Sequence, residues 1–261
     1  MGQEVQLPMK ISGNTILITG GGSGIGRGLA EALRKLDNLV VIAGRGREAL
    51  DETTAANPGI LSVVMDITDR AGTFVFAKDV VDRFPNLNVL INNAGIMRAE
   101  NLAADPVDLA NTEATVATNL LGPMRLTAAL LPHLKRQSRA TIMNVSSGLA
   151  FVPLTLTPTY CATKAALHSY TQSLRFQLKG TSVEVLELIP PYVATDLMGG
   201  ANDPRAMPLN AYIAEAMAIL KSQPTPDEIC VEQVKPLRYA AEDGRYRGVF
   251  EGMNASLANV L

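Results

Sequence analysis

Two cysteines and two histidines are all that the 261 residues hold of the side chains most used for metal binding and covalent catalysis. One disulfide between Cys161 and Cys230 would add little to a chain this long, so both are read as free thiols of a reducing compartment. His133 and His168 lack metal-ligand spacing, and no histidine stands close to a nucleophilic serine, so neither a metal centre nor a hydrolase triad is expected. Charge of one sign is also scarce. A formal net charge of -2, with no basic run, excludes phosphate-backbone binding as a main task, and no nucleic-acid partner is expected. No apolar run approaches the roughly 20 residues that span a bilayer. The first residues, MGQEVQLPMK, show no basic segment followed by an apolar block, and Gln6 stands where a myristoylation signal requires Ser or Thr. A soluble, cytoplasmic protein without a membrane partner is the expectation. Repeats, low-complexity tracts and charged linkers are missing too, so residues 1–261 are expected to form one domain, with 47% hydrophobic residues to build its core.

What is present is alternation. Short β-branched runs at 15–19, 39–43, 61–65, 88–92, 140–145 and 182–188 predict strands. Amphipathic patterns at 25–36, 70–83, 106–134 and 160–178 predict the helices between them. Several strands are apolar throughout, as when both faces of a sheet are covered. The pattern implies an α/β fold, a Rossmann-type, doubly wound parallel sheet with helices on both faces and a ligand site at the carboxyl ends of its strands. Prolines and glycines interrupt the chain from Pro190 to Pro208, with Met198 and Met207 inside. That irregularity fits a substrate loop or lid at about 191–225, and equally a plain surface excursion. Helices at 210–221 and 227–241 are expected after it.

The first strand runs into TGGGSGIGRGLAEAL, where Gly20, Gly24 and Gly26 suit a tight turn and close backbone approach to a pyrophosphate at a helix N-terminus. The context of strand, glycines and helix makes this a strong dinucleotide signal. After the second strand, Gly44 takes the place where NAD-binding domains carry an acid, and Arg45 and Arg47 follow. A guanidinium pairs with a 2′-phosphate that a carboxylate repels, so NADP(H) is expected over NAD(H), which stays possible. Pro123 cannot donate to the carbonyl of Asn119, so the long helix is expected to kink there.

In order and spacing these motifs resemble the short-chain dehydrogenase/reductase (SDR) family over nearly the whole chain. The residues that carry the resemblance are Thr19 to Gly26, Asp66 after the third strand, Asn92-Asn93-Ala94-Gly95 after the fourth, Asn119, Ser147, and Tyr160 with Lys164. Ser147 and Tyr160 stand thirteen residues apart. The resemblance implies an NADP(H)-dependent carbonyl reductase or alcohol dehydrogenase. Gly20, Ser23, Gly24, Ile25 and Gly26 would hold the cofactor's phosphates, with Arg45 at its ribose and Asp66 and Ile67 at its adenine. Asn93, Ala94 and Gly95 would support the cofactor ribose, with Val193 and Thr195 near the nicotinamide. Tyr160 would be the general acid and Ser147 a hydrogen-bond donor to the substrate oxygen, with Ser146 as its rival. Lys164 would hold the ribose and favour ionisation of the phenol one helical turn away. Asn119 would pass water to Lys164 through its freed carbonyl. Met97, Leu149, Phe151, Pro153, Leu154 and Met198 would line an apolar substrate site. An NAD(H)-dependent hydroxysteroid or polyol dehydrogenase, or a nicotinamide-binding regulator without turnover, remain alternatives.

Two features depart from the family pattern. Pro191 replaces a glycine in PPYVAT, which alters how Thr195 is presented. No final strand ending in an Asp-Gly-Gly-like turn is evident, so a homodimer through the long helices is expected, with a tetramer possible.

Overall fold

The computed structural model of the chain describes residues 10–255, and the amino-terminal stretch read for targeting signals lies outside them. Seven parallel strands form one sheet in the order β3-β2-β1-β4-β5-β6-β7. They are β1 (Thr15–Thr19), β2 (Leu39–Gly44), β3 (Ile60–Val64), β4 (Leu87–Asn92), β5 (Ala140–Val145), β6 (Val183–Ile189) and β7 (Glu228–Cys230). The helices are α1 (Gly24–Arg34), α2 (Arg47–Ala56), α3 (Arg70–Arg83), α4 (Ala110–Val116), α5 (Gly122–Leu134), α6 (Pro158–Gln177), α7 (Leu209–Leu220), α8 (Lys235–Arg238) and α9 (Tyr246–Asn254).

Successive strand residues point to opposite faces, and each face has its own core. Ile16 and Ile18 pack with Leu29 and Leu33 of α1 and with Tyr212 and Ala216 of α7. Leu17 joins the other core, with Val80 of α3, Leu126 and Leu130 of α5, and Leu174 of α6. This two-sided burial is why the central strands carry apolar runs without alternation. The chain reverses strand order after β3 and returns beside β1 as β4, so the carboxyl ends of β1 and β4 flank the crevice at the switch point.

Three sequence-based expectations need correction. The helix expected over 106–134 begins at Ala110 and is three segments, with a π-helical turn, Ala117–Leu121, between α4 and α5. Pro123 explains it. With no N–H for the Asn119 carbonyl, the helix widens and Gly122 N–H donates to Ala117 O, five residues back. A seventh strand does exist: β7 pairs with β6 through Leu188 opposite Ile229. Its three residues fall within the helix expected at 227–241, of which only a 3₁₀ turn and α8 remain. Helix α2 follows the arginine turn and has no strong apolar periodicity to announce it; only Leu50 and Thr53 are buried.

Candidate active site

The glycine loop and the turn after β4 are tied together at their start. Thr19 Oγ1 accepts from the backbone N–H of Asn93 at 3.0 Å and of Ala94 at 3.1 Å. Asn93 Nδ2 donates in return to the carbonyls of Thr19 at 3.0 Å and Gly20 at 3.2 Å. Gly26 fits here because it has no side chain; a Cβ would stand 2.3 Å from Gly20 O. Ser23 precedes the first turn of α1 without capping it through its side chain, leaving its hydroxyl exposed at a helix N-terminus that favours anions. Ile25 packs its side chain on the α1 core. A cleft of about 150 Å³ opens over this loop, lined among others by Gly20, Arg45, Ile67, Gly95, Ile96 and Thr118.

At the cleft's outer end Arg45 is exposed, and no acidic residue follows β2 before Glu48 in the first turn of α2. Asp66 turns its carboxylate onto the hydroxyl and N–H of Thr68, at 2.7 and 2.9 Å. Those bonds, with the Arg45 guanidinium as a lesser cause, hold it below the usual carboxylate range. Ala94 and Gly95 also line the cleft, Gly95 against the catalytic candidates. A Cβ on Gly95 would lie 3.4 Å from Asn119 Oδ1 and 3.7 Å from Lys164 Nζ.

Helix α6 presents Tyr160 and Lys164 on one face, four residues apart. Pro158 opens the helix, and Glu100 anchors its first turn from a distant loop. One Glu100 carboxylate oxygen accepts from Thr159 N–H at 3.1 Å, and the other from Thr159 Oγ1 at 2.6 Å. Lys164 is buried, and its Nζ donates to Val145 O at 2.7 Å. Asn119 sits in the π turn, where Nδ2 donates to Ile96 O and Oδ1 accepts from Ile96 N–H, both at 2.8 Å. Ser147 follows β5, its Oγ accepting from Leu149 N–H at 3.1 Å and its hydroxyl near enough to the Tyr160 phenol to favour ionisation. Its neighbour Ser146 is turned the other way, onto Glu187.

Lys164 is expected to ease ionisation of Tyr160, and burial of the phenol acts in the opposite direction. Burial pushes the phenol up to about 12, the nearby Ser147 hydroxyl only partly opposing it. Burial also lowers Lys164 to about 8, against the attraction of Glu187. The ammonium lies 5.6 Å from the centre of the phenol ring. The site is thus a protonated phenol beside a buried cation of reduced basicity, and burial makes that phenol a weaker acid than a free one.

After β6 the irregular segment is closed at its neck. Val193 bridges Met207, Ala194 N–H donates to Met207 O, and Met207 N–H donates to Tyr192 O, both at 2.8 Å. The methyl of Thr195 lies where a Cβ on Gly24 would touch it, 3.3 Å away, so this segment meets the glycine loop. Met198 lies at φ 57° in a kinked 3₁₀ segment, 39% exposed. The remaining apolar candidates separate. Met97 is half-buried beside the cleft residue Ile96. Leu149, Pro153 and Leu154 line a second cavity of about 500 Å³, with Cys161, Ala165 and Phe250. It lies on the side of α6 turned away from Tyr160 and Lys164. Phe151 packs edge-on to His168, with ring centres 4.7 Å apart. Cys161 and Cys230 are free, buried and raised in pKa by burial, which suits packing rather than nucleophilic roles.

Glu187 is a residue that motif spacing passes over. Across the sheet, Asn92 pairs in register with Asn144, Asn144 with Glu187, and Glu187 with Glu228. Period two places Glu187 on the same face as Val183 and Val185 in the apolar run VEVLELI, and a glutamate in such a position was the available signal. It is fully buried, accepting from Ser146 Oγ at 2.5 Å and from His168 Nδ1 at 2.8 Å. His168, Glu187 and Glu228 bring ligand-type atoms within 4.8 Å of one another. Arg238 already forks onto Glu228 at 2.6 and 3.1 Å, so the cluster's cation is a guanidinium.

A family model for the short chain dehydrogenases matches residues 14–206, and the chain belongs to that family. It is 40% identical to the uncharacterized oxidoreductase DltE of Bacillus subtilis, over 94% of this chain and 98% of the relative. Among solved structures, a short chain dehydrogenase from Burkholderia cenocepacia in complex with NADP superposes with a TM-score of 0.77 at 26% identity, covering 94% of this chain and 98% of that one. A 3-ketoacyl-(acyl-carrier-protein) reductase from Brucella melitensis complexed with NADH gives 0.75 at 26%, covering 84% and 96%. The protein is an oxidoreductase of the short-chain dehydrogenase family, related to structures that hold NAD or NADP.

Proposed function

We propose that the protein is an NADP(H)-dependent carbonyl reductase that also runs in the alcohol-oxidising direction, on apolar aldehydes or ketones. One observation carries this reading: Lys164 and Asn119 meet the wall of the glycine-loop cleft at Gly95, with the Tyr160 ring 5.6 Å from the Lys164 ammonium. The residues present fit a dinucleotide. Gly26 leaves room where a side chain would strike the loop, and α1 begins within that glycine loop. Gly20, Ser23, Gly24 and Ile25 would hold the pyrophosphate, Arg45 the 2′-phosphate and Ile67 the adenine, with Asp66 beside it. Asn93 to Gly95, Lys164, Val193 and Thr195 would hold the nicotinamide end. When bound, the nicotinamide supplies or takes up the hydride.

The chain's own residues do the rest. Ser147 donates a hydrogen bond to the substrate oxygen, stabilising the charge that grows there. Tyr160 gives that oxygen its proton, being protonated at neutrality although burial makes it a weaker acid than a free phenol. Lys164 then stabilises the phenolate left behind, and Asn119 holds the turn at Ile96 while its carbonyl serves water. Oxidation requires the phenolate, which burial disfavours, so alcohol oxidation is expected to need a higher pH than reduction. The apolar preference is supported by Ile96 and Met97 at the cleft and Met198 in the segment over the glycine loop. The far cavity beside Ala165 supports a homodimer packed along α6, to be read by light scattering.

Among the described residues no helix is long and apolar enough to cross a membrane.

The test is NADPH oxidation, with NADH in parallel, against aryl and alkyl aldehydes and ketones. Turnover with NADPH is expected, flat at lower pH and falling as pH rises through about 8, where Lys164 loses its charge. Binding of both cofactors with no carbonyl reduced would instead support a nicotinamide-binding regulator.

A further inference from the structure

Beneath the catalytic helix lies a carboxylate that the hydride-transfer reading does not use. Glu187 is fully buried on β6, beside Asn144 of β5 in register. One of its oxygens takes the Ser146 hydroxyl at 2.5 Å and the other takes His168 Nδ1 at 2.8 Å. Each partner adjoins a catalytic candidate. Ser146 directly precedes Ser147, and His168 follows Lys164 by one turn on the same face of α6. The Lys164 ammonium is itself held on Val145 O, the residue before Ser146. An acid in an apolar strand is costly unless it is paired, and among the described residues this one is paired through groups that flank the site.

We propose that Glu187 is a positioning residue: its buried carboxyl group favours the ammonium form of Lys164 inside the fold, and its bond to Ser146 fixes the turn that carries Ser147. The surroundings agree. Burial lowers Lys164 to about 8, and Glu187 is the group opposing that fall. The titratable and charged groups packed around the pair are Tyr160 and His168 on α6, Glu228 and Cys230 on β7, and Arg238 of α8. Arg238 is bound to Glu228 and caps the ring of Phe151, which in turn packs on His168. The second acid is therefore neutralised from outside, leaving Glu187 to act on Lys164.

The role in catalysis rests on the reductase reading, but the charge effect can be measured without turnover. Protein labelled with ¹³C and ¹⁵N in its lysines is titrated by NMR, with Lys164 assigned through a Lys164→Arg variant. In Glu187→Gln, which keeps shape and one acceptor, the Lys164 midpoint is expected to fall by about one pH unit. Should that variant not fold, Glu187→Asp withdraws the charge by one methylene and is expected to lower the midpoint by less. An unchanged midpoint in a folded variant would overturn the proposal. In the carbonyl-reduction assay the high-pH limb of kcat is expected to move down with the midpoint. A shifted titration beside an unshifted limb would overturn the catalytic role alone.

Discussion

The two halves of the sheet reach the site by different means. From β1 to β4 the cleft is built of backbone: glycines, the N-terminus of α1, and a turn held by Thr19 and Asn93. From β4 to β7 the corresponding level is built of buried polar side chains. Asn92 Nδ2 donates to Thr127 of α5 at 3.0 Å and to Asn144 at 2.8 Å. Asn144 Nδ2 donates to Thr171 of α6 at 2.8 Å, and Glu187 continues the row. A dinucleotide demands close approach, which small residues give. An acid and a cation that must stay aimed at one another demand fixed directions, which hydrogen-bonded side chains give.

The sharpest way to break this contrast is on the cofactor side. Gly26→Ala places a methyl 2.3 Å from Gly20 O, and a loss of roughly 3 kcal/mol is expected, divided between stability and NADPH affinity. Denaturant unfolding and cofactor titration measure the two parts. On the catalytic side, Asn144→Ala strips Asn92 and Thr171 of a shared partner and should cost about 2 kcal/mol of stability. Its turnover should suffer more than its NADPH affinity, the reverse of the glycine variant.

How well each half can be read from sequence follows from the same contrast. Glycine loops and the Tyr160–Lys164 turn are local, so spacing along the chain reveals them. Pro123 predicts a disturbed helix because a missing N–H is a local fact, although the π turn that resulted is one of several possible responses. The polar row joins residues on strands far apart in sequence and exists only through register, so no spacing announces it. The placements of Leu149, Pro153 and Leu154 depended on which side of α6 their loop runs, which apolar composition does not encode. Strand β7 is three residues long, too short for periodicity to separate it from a helix start.

A smaller effect sharpens the cofactor assignment. Arg45→Ala is expected to reduce the preference for NADPH over NADH about tenfold, the loss of one exposed guanidinium–phosphate contact. Equal losses for both cofactors would remove Arg45 from 2′-phosphate recognition and favour NAD(H).

The central claim is that Tyr160 gives its proton to a substrate held against a cofactor in the glycine-loop cleft. The most direct test compares native protein with Tyr160→Phe in two readings on the same samples, NADPH affinity by fluorescence and reduction of an aryl aldehyde. The account predicts unchanged affinity and turnover lower by roughly 10²- to 10⁴-fold. Native-like turnover in the phenylalanine variant would contradict it.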